Sequence, residues 1–320
     1  MPRYLVTGAA GFLGYHLAET LSREQTHQVV CVDNFVRGER DSLYARLCNR
    51  PNIASLELDL CDQAAVSQLD DDFDAVFHLA ALNGTQNFYE RPLEVLKCCT
   101  LPTFWLLEHL GPSRRVKRFL YAGTSESYAS TVTRFGWQVP TGEDVPLSVD
   151  DVTNPRWSYA ASKIHGEVLS MQAARHYGLP LTVLRYHNAY GPRMGDRHVV
   201  PDFLMRARDG ELALYGHADT RSFLYVSDAV EATIALARTE AAAGQIVNVG
   251  CDREISILEL AHLMMNVCGF TGKIDLHPSP PGSVPRRVPN IDKLRALTGF
   301  SPKVGLRDGL RRTAEFYLNA

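Results

Sequence analysis

The chain has 320 residues, of which 45% are hydrophobic and 22% charged, enough for about two domains or one large α/β unit with a full core. A formal net charge of −3 and a pI near 6.4 give no electrostatic ground for a nucleic-acid or anionic-membrane partner. Seven scattered cysteines with no Cys-x-x-Cys or Cys/His cluster, no basic leader with an apolar core, and no run near the roughly eighteen apolar residues of a bilayer span predict a cytoplasmic protein without a metal site.

Residues Arg3 to Thr7 form a short apolar run leading into Gly8-Ala9-Ala10-Gly11-Phe12-Leu13-Gly14 and then a helical pattern from Tyr15 to Ser22. Strand, glycine turn and helix in that order let backbone approach a pyrophosphate at a helix N-terminus. A second strand, Gln28 to Val32, ends at Asp33, about 20 residues on, where a carboxylate accepts hydrogen bonds from an adenosine ribose. This favours NAD over NADP. Arg37 is the counter-sign, since an arginine there can hold a 2′-phosphate.

A third strand, Ala54 to Leu58, ends in Asp59-Leu60, a carboxylate that can reach an adenine amino group or simply close a turn. The fourth, Asp74 to Phe77, is followed by His78-Leu79-Ala80-Ala81, which leaves room for a flat cofactor across the strand ends. Asn83 to Tyr89 then reads as a loop, substrate-facing or plain surface. Leu93 to His109 is helical, with an interruption and kink expected at Pro102. A fifth strand, Arg118 to Ala122, opens onto Gly123-Thr124-Ser125-Glu126-Ser127-Tyr128, hydroxyls and a carboxylate that suit either a polar substrate or a loop cap.

Tyr159 and Lys163 stand four residues apart in a helix of about Tyr159 to Tyr177, which stacks a phenol and an ammonium on one face. A lysine held close lowers the phenol's ordinary pKa of about 10 and makes it a base near neutrality. The spacing alone is common on solvated helices. Beyond it come a sixth strand, Leu181 to Leu184, a helix from Ala229 to Arg238 and a seventh strand, Ile246 to Val249. An amphipathic helix, Ser256 to Cys268, carries the capping-box spacing Ser256/Glu259. Pro278 to Pro285 is too rich in proline and glycine for regular structure.

Taken together, Gly8, Gly11 and Gly14, Asp33, Asp59, His78 to Ala81, Thr124-Ser125-Glu126, Tyr159 with Lys163, and Arg185 to Arg193 resemble the extended short-chain dehydrogenase/reductase family, and within it the nucleotide-sugar epimerases, dehydratases and decarboxylases. The likeness runs from about Arg3 to Tyr317. It implies a Rossmann-type doubly wound parallel sheet with a smaller C-terminal α/β unit. Residues 1–185 and a returning segment at about 223–250 would hold NAD, and 186–222 with 251–320 the nucleotide sugar. The cofactor would be held by Gly8, Gly11, Phe12, Leu13, Asp33, Asn34, Asp59, Leu60, Leu79, Ala80, Ala81, Tyr159, Lys163 and Tyr186. The substrate, a nucleotide diphosphate sugar, would meet Asn83, Thr85, Ser125, Asn188, Val199, Val200, Arg221 and one or both of Arg286 and Arg287. A homodimer through the two long helices is also implied.

Enzymes of this group oxidise a sugar hydroxyl at C4 while the tyrosine takes the hydroxyl proton; here Thr124 would bind that hydroxyl and Lys163 the cofactor ribose. Return of the hydride to the other face makes an epimerase, loss of water across C5 and C6 a 4,6-dehydratase, and loss of carbon dioxide from a uronic acid a decarboxylase. Glu126 supplies the carboxylate that an elimination needs, so the first expectation is a 4,6-dehydratase, with a 4-epimerase or a UDP-glucuronate decarboxylase as alternatives and a non-catalytic dinucleotide sensor further off. Tyr190 to Met194 and Arg286 to Lys293 resemble the decarboxylases. Three departures from the family stand out: Cys99 replaces a supporting asparagine, Ala129 a glycine, and Asn83 to Tyr89 lacks the Ser-Pro of the better-known decarboxylases.

Overall fold

The apolar runs of the sequence pair into one seven-stranded, all-parallel sheet in the order Ile246–Val249, Leu181–Tyr186, Phe119–Thr124, Ala75–His78, Arg3–Thr7, Gln28–Asp33, Ile53–Glu57. The computed structural model describes residues 1–195, 198–210, 213–279 and 283–318. Near-continuous burial of the central strands is what a parallel sheet covered on both faces requires. Strand order reverses between Arg3–Thr7 and Ala75–His78, and open α/β sheets bind ligands at such a switch point, beyond the strands' C-terminal ends.

Alternation along the strands sends Val6 and Leu5 to opposite faces. On one face Val6, Phe77, Leu120 and Val247 pack with Leu17 and Leu21 of helix Phe12–Leu21 and with Val230 and Leu236 of helix Val226–Arg238. On the other, Leu5, Val76, Phe119 and Val183 meet Leu106, Leu107 and Leu110 of helix Pro92–Leu110. Helix Ser158–Tyr177 lies beside the latter. A second core gathers Tyr190 and Phe223 with the helices Val199–Arg208, Ile257–Cys268 and Leu306–Leu318.

Several local expectations shift. Pro92–Leu110 runs as one helix through Pro102, because packing of that buried turn outweighs one missing amide. Asn83–Tyr89 is not all loop: after Gly84 (φ 114) the segment Thr85–Glu90 is helical. His78 closes the fourth strand instead of opening the loop, and its imidazole is buried between Thr7 Oγ1 (2.8 Å) and Thr103 Oγ1 (3.0 Å). The third strand begins and ends one residue early, at Ile53–Glu57. The Ser256 cap forms with both reciprocal bonds to Glu259. Of the irregular stretch Pro278 to Pro285, Pro280, Pro281 and Gly282 lie outside the described residues.

Candidate active site

The C-terminal edge of the sheet opens into a cavity of about 420 Å³. At one end Gly8, with φ 70, brings the backbone so close to the fourth strand's exit that a Cβ would stand 2.9 Å from Ala80 Cα. Gly11 is the N-cap of Phe12–Leu21 and no side chain caps that helix, which leaves its first-turn amides for an anionic ligand. Asp33 is fixed beside this turn, Oδ2 accepting from Ala10 N (2.9 Å) and Oδ1 from Phe35 N (2.8 Å), with lone pairs left for a ribose. Asn34 donates to Asp59 (3.3 Å), which also accepts from Cys61 N (3.0 Å). Leu60, Leu79, Ala80, Ala81 and Tyr186 line the same space, and the Tyr186 hydroxyl is tied to Thr233 Oγ1 at 2.7 Å. Glycine cradle, uncapped helix and fixed carboxylate fit a dinucleotide.

At the other end the strand Phe119–Thr124 passes into a 3₁₀ turn, Ser125–Tyr128, with Thr124 Oγ1 accepting from Glu126 N at 3.2 Å. The first turn of Ser158–Tyr177 faces it with Tyr159. Phe88, in the helical part of the former loop, stacks on the Tyr159 ring at 5.0 Å and 11°. Lys163 is buried, donates to the Ala122 carbonyl at 2.8 Å, and lies 5.9 Å from the Tyr159 ring centroid. Burial lowers the lysine's pKa and raises the tyrosine's above 10.0, with the Cys99 thiol adding to the rise and Arg37 opposing it. Among the protein's own groups burial therefore outweighs the expected lowering of the phenol. Cys99, where the family has asparagine, is buried with Sγ 3.7 Å from the Leu82 carbonyl.

Glu126 is held by two arginines. Its Oε1 accepts from Arg287 Nη1 at 2.6 Å and its Oε2 from Arg156 Nη2 at 3.0 Å. Burial alone would raise its carboxyl, yet the two guanidiniums outweigh this and hold it at about 2. Arg287 reaches the site because Thr220–Ser222 is flanked by Glu254–Ser256 and Arg286–Arg287, placing Arg287 opposite Arg221. Burial and the Arg287 charge lower Arg221 to about 10.

Asn83, Thr85, Ser125, Asn188 and Arg287 line the cavity with Thr124, Glu126, Tyr159 and Lys163. Four expected substrate residues do not. Val200 is fully buried in the second core, and Val199 beside it is turned to solvent. Arg286 points to the opposite side of its strand and pairs with Glu254 at 2.6 Å, as strand alternation demands of neighbours. Arg221 stands behind Arg287 and off the cavity wall, 3.8 Å from Asp219. Sequence reasoning missed Arg156, three residues before Tyr159, and the buried pair Arg185–Glu167 (2.8 Å). Glu167 sits four residues after Lys163, a spacing that could have been read as the same helix face.

A seven-stranded parallel sheet with a glycine cradle and a buried Tyr/Lys pair at the switch point defines a Rossmann-type dinucleotide enzyme. Residues 4–250 match the model of the NAD dependent epimerase/dehydratase family, and the chain belongs to that family, with NAD as its cofactor. It is 35% identical to the UDP-N-acetyl-alpha-D-glucosaminuronate decarboxylase of Bacillus cytotoxicus over 98% of this chain and 97% of that protein. It is 32% identical to UDP-glucuronic acid decarboxylase 1 of Xenopus tropicalis, over 98% of this chain and 72% of that one. The UDP-glucuronic acid 4-epimerase of Bacillus cereus superposes with a TM-score of 0.88 at 25% identity, covering 99% of each chain. Among the described residues no helix is long and apolar enough to cross a membrane.

Proposed function

We propose that the protein is an NAD-dependent decarboxylase of a UDP-linked hexuronic acid. The observation that carries this reading is Glu126 held between Arg156 and Arg287. The lean toward a 4,6-dehydratase needed Glu126 as a free acid/base, and a carboxyl held at about 2 is a poor proton acceptor. Arg287, by contrast, offers a guanidinium fork at the cavity wall, the group that binds a sugar C6 carboxylate in bidentate fashion. The likeness to two uronate decarboxylases over nearly the whole chain supports the same substrate class.

Within this reading the sheet unit holds NAD, and the strand beside Thr220–Ser222 brings Arg287 to the nucleotide sugar. Tyr159 takes the C4 hydroxyl proton, with Thr124 Oγ1 and Asn83 fixing that hydroxyl. NAD, held by the Gly8–Gly11 turn, Asp33 and Lys163, would supply the reversible acceptor for the C4 hydride and a positive charge that lowers a neighbouring phenol's pKa. A ketone at C4 makes the C6 acid a β-keto acid. The C5–C6 bond then breaks without a base, its electrons entering the C4 carbonyl as carbon dioxide leaves, and the ionised Glu126 on the same wall repels the carboxylate charge that this step discharges. Tyr159 stabilises the developing oxyanion, C5 takes a proton from solvent, and Tyr159 returns its proton to the C4 oxygen.

Incubation with UDP-glucuronate and UDP-N-acetylglucosaminuronate in deuterated water tests the reading. A UDP-pentose carrying one solvent deuterium at C5, with stoichiometric carbon dioxide, is expected. A C4 epimer without carbon dioxide would make the protein a uronate epimerase, the reading that the Bacillus cereus structure favours. A 4-keto-6-deoxy product from a UDP- or dTDP-hexose would restore the dehydratase.

A further inference from the structure

The two arginines on Glu126 are mounted differently. Arg156 sits in a 3₁₀ turn, Pro155–Trp157, whose first amide-free residue is proline and whose N-cap, Asn154, accepts from Arg156 N at 3.0 Å. The guanidinium lies 5.4 Å from the ring centroid of Trp157, itself buried, and the turn runs directly into the helix that carries Tyr159 and Lys163. Arg156 takes no part in the cavity wall. Arg287 instead ends a two-residue strand, lines the cavity, and keeps a buried Nε without a hydrogen-bond partner among the described residues. One arginine therefore lines the cavity with a donor unspent, and the other is anchored off the cavity wall.

Charge points the same way. Arg156, Arg287 and Arg221 face Glu126 and Asp219 in this corner, an excess of one positive charge that an anionic substrate group would neutralise. When Arg287 turns its fork to that group, Glu126 loses its 2.6 Å partner. Without a second cation, the carboxylate would then take up a proton and move. Arg156 prevents this.

We propose that Arg156 is a positioning residue which keeps Glu126 ionised and fixed against the sugar while Arg287 engages the substrate anion. This rests on the uronate reading for the identity of the anion, but the division of labour between the two arginines can be tested on any sugar nucleotide that the enzyme turns over. Four consequences follow from it. Arg156→Gln lowers kcat by about 10²-fold, because a displaced group at the reacting centre costs that much, and leaves KM within about threefold. It moves the acidic limb of the kcat profile up by roughly one pH unit, since Glu126 has lost one opposite charge. Arg156→Lys restores part of both. Arg287→Gln raises KM for the uronate and leaves UDP affinity unchanged.

The experiment is the pH profile of kcat and KM for wild type, Arg156→Gln, Arg156→Lys and Glu126→Gln, together with Arg156→Gln in the Glu126→Gln background. NAD content and UDP binding serve as checks of folding. If Arg156 works through Glu126, its substitution has no further effect once Glu126 is glutamine. A fall in kcat with an unmoved acidic limb, no rescue by lysine, or an undiminished effect in the Glu126→Gln background overturns the proposal and leaves Arg156 a packing residue. Should Arg156→Gln not fold, Arg156→Lys carries the same test through its smaller limb shift. Absence of carbon dioxide from wild type would sink the decarboxylase reading alone, because the limb shift is then read on the epimerisation.

Discussion

Alanine substitution at Gly14 and at Gly11 separates the two jobs of the cofactor turn. A Cβ at Gly14 would lie 2.0 Å from the Gly8 carbonyl oxygen and 2.7 Å from its carbon, both backbone, where real Cβ atoms essentially never come within 3.0 Å. Helix Phe12–Leu21 would have to move away from the turn by about 1 Å, and overpacking of this kind costs about 1–3 kcal/mol. With about 2 °C of melting temperature per kcal/mol in a chain of this size, cofactor-free Gly14→Ala should melt ~2–6 °C below wild type. NAD binding should fall with it. At Gly11 a Cβ meets only the Gly8 oxygen, at 3.2 Å. Gly11→Ala should therefore leave the melting of cofactor-free protein within about 1 °C and still lose NAD, because the methyl occupies the approach of a pyrophosphate to backbone. The assay is calorimetry of stripped protein beside titration with NAD. Wild-type melting in Gly14→Ala, or wild-type NAD affinity in Gly11→Ala, would refute the steric reasoning.

Three further outcomes are expected. Tyr159→Phe should cut turnover by about 10²–10⁴-fold while NAD and UDP still bind; activity near wild type would remove Tyr159 as the proton carrier. Glu126 has a carboxyl held at about 2 against an ordinary 4.5, so the stability it contributes is complete above pH 4.5 and is lost as pH falls toward 2. The urea-unfolding gap between wild type and Glu126→Gln, about 3–5 kcal/mol at neutral pH for a broken buried pair, should accordingly narrow by pH 3, and a gap that stays constant with pH would exclude the ion pairs as its source. Leu93, Leu96 and Phe104 on Pro92–Leu110 and Val168 on Ser158–Tyr177 are exposed apolar side chains on two helices that pack together. We expect a homodimer through these helices, seen as twice the 35.6 kDa chain mass in sedimentation, and a strictly monomeric result would reject it.

The cofactor half of the site was legible because its information is local. Gly8, Gly11, Gly14 and Asp33 act through turn geometry and strand ends, and those follow from residues adjacent in sequence. Tyr159 and Lys163 were legible for the same reason, as a helical spacing, although their electrostatics were not. The Ala122 carbonyl at Lys163 Nζ lies 41 residues earlier in the chain, and Tyr159 is buried among Leu82, Phe88, Val95 and Cys99.

Composition, strand runs and motif order by themselves determined the parallel dinucleotide-binding sheet, the place of the glycine turn and the placing of Tyr159 and Lys163 on one helix. Only the tertiary structure decided which residues surround Glu126. Arg156 and Arg287 lie 30 and 161 positions from it and arrive by a turn before one helix and by a strand beside Thr220–Ser222. Strand alternation required Arg286 and Arg287 to face opposite ways, but only the neighbours Glu254 and Glu126 show which one turns inward. The charge of a carboxylate depends on cations brought near it through space, and the cations at Glu126 come from segments distant in sequence.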